Sequence, residues 1–61
     1  MANIIKITCF NSNKEEFSYG TCRMTDEDFK NYLNKLKHRA DVTGFTHEVV
    51  GGVNYIQVYY K

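Results

Sequence analysis

A catalytic reading of this chain starts with Cys9, Cys22, His38, His47 and the seven carboxylates. A nucleophile must stand within hydrogen-bond reach of its base. Neither cysteine has a histidine near it in sequence, and neither G-x-S-x-G nor H-E-x-x-H occurs. His38 falls beside Arg39 near the end of a predicted helix, where a solvated imidazole needs no catalytic role. His47 takes the inward parity of a predicted strand, and its neighbour Glu48 points to the other face, so it reads as a partly covered rim histidine. Asp26-Glu27-Asp28 lacks the alternating oxygen ligands of a calcium loop, and the start of a helix explains it. Gly51-Gly52 is followed by Val53 and Asn54, which suits a hairpin turn and not a phosphate-cradling loop. A small secreted domain generally carries more than two cysteines. Pairing about the first hairpin turn sets Cys22 nearer Asn3 than Cys9, which predicts two reduced thiols. The expectation is a non-enzymatic chain with no catalytic residue, no metal and no cofactor.

The elements that would position these groups follow from periodicity. Phe29, Tyr32, Leu33, Leu36 and Ala40 recur at helical spacing within Thr25–Ala40, opposite Lys30, Asn31, Asn34, Lys35 and Lys37. Thr25 is placed as N-cap, Asp28 as the capping-box acid, and Met24 with Phe29 as a hydrophobic staple. The acids at the start and Lys35, Lys37, His38 and Arg39 at the end complement the helix dipole. Gly44, or a left-handed residue near Asp41, is placed as the helix stop.

Residues 3–10 and 15–23 read as an antiparallel hairpin about the polar turn Asn11-Ser12-Asn13-Lys14. Ile5, Ile7 and Cys9 face inward, Lys6 and Thr8 outward. With an even loop, Phe17 and Tyr19 share the outward face; with an odd loop they join the core. The even register is the one adopted. Residues 44–50 and 53–60 form a second hairpin about Gly51-Gly52, pairing Val49 with Asn54, His47 with Ile56 and Phe45 with Val58. Its predicted core face is Phe45, Val49, Ile56, Val58 and Tyr60.

The expected fold is therefore α+β, in the order ββαββ. A four-stranded mixed, β-grasp-like sheet has its first and last strands central and parallel, and one helix covers one face. In element order and length this layout resembles the immunoglobulin-binding modules of protein G and protein L. The resemblance implies an immunoglobulin-binding-like module as one reading and assigns no binding residue.

One domain of 61 residues has a single small core and little room for a deep pocket as well. Net charge of +1 gives weak long-range attraction to nucleic acid or anionic membrane. No apolar run reaches the roughly 18–20 residues of a membrane span, and MANIIKITCF lacks signal-peptide layout, so the expected location is cytoplasmic, away from membrane. What remains is a surface. One helix covers one side of the sheet, leaving an outer face rich in aromatics. Lys6, Phe10, Phe17, Tyr19, Tyr55, Gln57 and Tyr59 are the candidate partner-binding residues. The leading expectation is a small protein-binding module, of the inhibitor or adaptor type found in phages and mobile elements. The alternative is single-stranded nucleic-acid binding on the aromatic face. A homo-oligomer burying that face is compatible with either.

Overall fold

The computed structural model describes residues 2–61. β1 (Ala2–Phe10) and β2 (Glu16–Thr25) form the first hairpin, α1 (Asp26–His38) follows, and β3 (Val42–Val50) and β4 (Val53–Tyr60) form the second. The sheet order is β2-β1-β4-β3. β1 and β4 lie together at the centre and run parallel, as expected, with Ile5 beside Asn54 and Ile7 beside Ile56. This is an α+β fold with one helix on a four-stranded mixed sheet, and the arrangement is compatible with a β-grasp.

Local chemistry sets each boundary. Thr25 is extended, and its Oγ1 accepts from the Asp28 N–H at 3.2 Å, which closes the first turn of α1. The helix stops differently from expectation. Arg39 is an extended C-cap, no left-handed residue ends the helix, and Gly44 lies inside β3. Ala40 is consequently an exposed connecting residue and does not extend the apolar face of α1. Gly51 and Gly52 take φ of 58° and 78°, the left-handed values that a two-residue hairpin turn of matching twist requires. The β3–β4 register is the expected one, with Phe45 opposite Val58, His47 opposite Ile56 and Val49 opposite Asn54.

The first turn is held by Asn11, whose Oδ1 accepts from the N–H groups of Asn13 and Glu15 at 2.9 and 3.0 Å. Lys14 supplies the positive φ of 62° that the reversal needs. Beyond it the ladder is regular from Cys9–Ser18 back to Ala2–Thr25, and Cys22 stands opposite Ile5.

The core is Ile5, Leu36, Ile56 and Val58, each at most 2% exposed. Ile7, Cys9, Cys22, Met24, Phe29, Tyr32, Leu33 and Phe45 are packed around it. Val49 was expected in this core and is 60% exposed. The reason is the path of α1. It leaves the end of β2 and returns to the start of β3, so it crosses the sheet on a diagonal. Two corners of the helix-side face stay open: the Gly51-Gly52 end of β3, where Val49 lies, and the start of β2, where Ser18 and Gly20 are exposed.

Candidate protein-interaction face

The face away from α1 carries residues of outward parity from every strand. β1 contributes Ile4, Lys6, Thr8 and Phe10; the parallel register sets them beside Val53, Tyr55, Gln57 and Tyr59 of β4. Two cross-strand contacts follow directly from that pairing. The Phe10 and Tyr59 rings stack at 5.2 Å with 17° between their planes. The Lys6 ammonium lies 5.7 Å from the centre of the Tyr55 ring, within cation–π range. Gln57 fixes the neighbouring strip, its Oε1 accepting from the Tyr59 hydroxyl at 3.1 Å and from the Thr46 hydroxyl at 3.5 Å. On β2, Tyr19 stands opposite Thr8 and is 80% exposed.

Of the candidate residues, Lys6, Phe10, Tyr19, Tyr55, Gln57 and Tyr59 thus lie on one face. Phe17 does not join them. A β-bulge between Cys9 and Phe10 sets Cys9 opposite Ser18 but Phe10 opposite Glu16, which leaves Phe17 as the extra residue. Its ring sits edge-on to Tyr60 at 5.6 Å, and Tyr60 has helix-side parity. The even register therefore holds for Tyr19, Thr21 and Arg23, while the bulge carries Glu16 to the outer face in place of Phe17.

Phe17 and Tyr60, with Asn11, Asp41 and Lys61, line an open cleft of about 570 Å³. The Arg39 guanidinium lies 5.5 Å from the Tyr60 ring centre and makes two hydrogen bonds to Asp41, at 2.9 and 2.7 Å. These bonds hold the Asp41 carboxyl below the usual aspartate range. A depressed folded-state pKa contributes stability above the unfolded pKa, and that contribution is lost as pH falls through the folded value. Both groups are solvent-exposed, so the effect on stability is small and screened by salt. The expected result is an Asp41 titration midpoint, followed by carbon-detected NMR, below that of an ordinary aspartate. Arg39→Gln should return it to the ordinary value. Burial pushes the Tyr32 and Tyr60 phenols up, Tyr60 with the Cys9 thiol beside it.

The groups able to do chemistry are dispersed. Cys9 and Cys22 are free thiols, opposite Ser18 and Ile5 respectively. His47 is engaged structurally: its Nε2 is 2.8 Å from Asn54 Oδ1, and its ring meets Phe29 edge-on at 5.2 Å. The Asn54 amide N–H donates to the Ile4 carbonyl, so Oδ1 is the acceptor and His47 Nε2 carries the proton. Asp26 accepts from Asn3 at 2.7 Å, tying the helix start to β1. Among the described residues, no three His, Cys, Asp or Glu side chains gather as a metal site. No helix among them is long and apolar enough to cross a membrane.

The fold and this face define a small α+β domain with one uncovered aromatic sheet surface. A scan against protein-family models gives no match, and a search of curated proteins finds no similar chain.

Proposed function

We propose that this chain is a protein-binding module that acts by placing its uncovered sheet face on a partner protein. One observation carries the reading. Tyr19, Tyr55, Lys6 and the Phe10–Tyr59 stack share a face that no element among the described residues covers, with Tyr19 80% exposed. Exposed aromatics on a rigid strand scaffold lose little side-chain entropy on binding, and tyrosine is among the commonest interface hot spots. Phe10 and Tyr59 are already stacked, so part of the surface is organised before a partner arrives. An inhibitor or adaptor that occludes a partner's surface needs no more than this.

The test is affinity capture from a plausible host lysate, followed by quantitative binding of the recovered protein to the parent and to Tyr19→Ala, Tyr55→Ala and Tyr59→Ala. Tyr19→Ala should leave thermal stability nearly unchanged, and Tyr55→Ala and Tyr59→Ala should lower it by less than a core truncation, since they lose the Lys6 contact and the Phe10 stack, respectively. Truncating a central aromatic should weaken binding by about tenfold or more. If all three variants bind as the parent does, the partner uses another surface. If all three unfold, the aromatics serve the sheet and not a partner.

The Phe10–Tyr59 stack, with Lys6 over Tyr55 further along the same face, also favours a second reading, single-stranded nucleic acid on that face. That reading predicts tyrosine quenching by oligonucleotides and affinity that falls steeply with salt. Absence of both at low salt removes it. Binding to antibody fragments, the function suggested by element order, is checked by surface plasmon resonance in the same series.

A further inference from the structure

We propose that β2 pairs edge to edge, antiparallel, with β2 of a second copy of this chain, about a two-fold axis at Gly20. β2 is an outer strand of ten residues, and the chain contains no proline to block pairing. Its charges are placed symmetrically once the bulge is counted. Gly20 stands opposite Ile7; Arg23 stands opposite Ile4 and Glu16 opposite Phe10, each three ladder steps away in opposite directions. Both side chains belong to the outer face. A two-fold axis along the sheet normal keeps outer face with outer face, so Glu16 of each copy meets Arg23 of the other. Tyr19 then meets Thr21, and Ser18 meets Cys22. The charges that discourage a foreign strand on this edge thereby become complementary to their own copy. Among the described residues neither Glu16 nor Arg23 has an ion-pair partner within the chain.

At the axis Gly20 meets its own copy; it has the helix-side parity of Ile7, and a Cβ built there meets nothing within 4 Å, so no side chain of either copy stands at the crossing point. The opposite edge lacks this charge pairing: β3 carries one acidic residue, Glu48, and no lysine or arginine for it to meet in a self-pair.

An edge contact is smaller than the roughly 800 Å² per partner of a standard interface, so the dimer should be concentration-dependent and the dilute chain monomeric. The pairing stands independently of the proposed partner-binding role. Sedimentation velocity of the whole chain, from micromolar to millimolar, tests it. The weight-average mass of the parent should climb toward twice that of the chain. Arg23→Glu and Glu16→Arg should each hold the mass near that of the monomer, with unchanged circular dichroism. The double variant carrying both changes should dimerise again, because the pairs are restored with exchanged signs. A parent that is monomeric throughout overturns the proposal. So does a dimer that ignores the single substitutions, or folded single variants whose combination fails to recover.

Discussion

Ile56→Ala should remove about half of the folding stability of this protein. Ile56 is 1% exposed and packs with Ile5, Val58 and Leu36; these four are the buried apolar residues among those described. Removing its outer carbons costs the transfer free energy of the lost groups and leaves a cavity under α1, together about 2–5 kcal/mol. At the usual stability per residue, a chain of this length has only about 3–9 kcal/mol in total. Few surrounding side chains can collapse into the gap, because the core is one layer thick between helix and sheet. Urea unfolding followed by circular dichroism should show a midpoint far below that of the parent. An Ile56→Ala midpoint equal to that of Tyr55→Ala would mean that the two faces of β4 have been assigned the wrong way round.

Asn54→Ala should cost about 2–3 kcal/mol, more than truncating any exposed polar residue. Asn54 is the one buried polar side chain among the described residues, at 8% exposure, and it links three strands. Its amide donates to the Ile4 carbonyl of β1 at 3.3 Å, and its carbonyl oxygen lies 2.8 Å from His47 Nε2 on β3. Alanine leaves the Ile4 carbonyl without this donor and opens a small void beside it. His47 is exposed and can turn to water, so most of the loss falls at the β1–β4 junction. Amide hydrogen exchange gives the discriminating readout. Protection should fall first along the β1–β4 pairing, while the β3–β4 hairpin keeps its own. Uniform loss across the sheet, or no loss, would show that Asn54 does not clamp the parallel pair.

The sequence alone determined the features that depend on neighbours along the chain. Apolar spacing specifies the buried face of α1 at Phe29, Tyr32, Leu33 and Leu36, and Thr25 caps it where a hydroxyl was expected. Gly51-Gly52 specifies the β3–β4 register, since two residues of positive φ make the tight turn and parity does the rest. Counting parity along β1 and β4 is enough to place Lys6, Phe10, Tyr55, Gln57 and Tyr59 on one face. What tertiary structure decided was everything set by contacts distant in sequence. The diagonal path of α1 left Val49 and Gly20 uncovered, although both have inward parity. The bulge moved Phe17 to Tyr60, 43 positions later in the numbering, because one extra residue reverses the parity of what precedes it. Asn54 has the inward parity of Ile56 and Val58, but its reason for being there, the Ile4 carbonyl at a separation of 50, exists only once β1 and β4 lie side by side. Periodicity records which way a side chain points relative to its own strand; only the assembled sheet and the helix across it determine what that side chain meets.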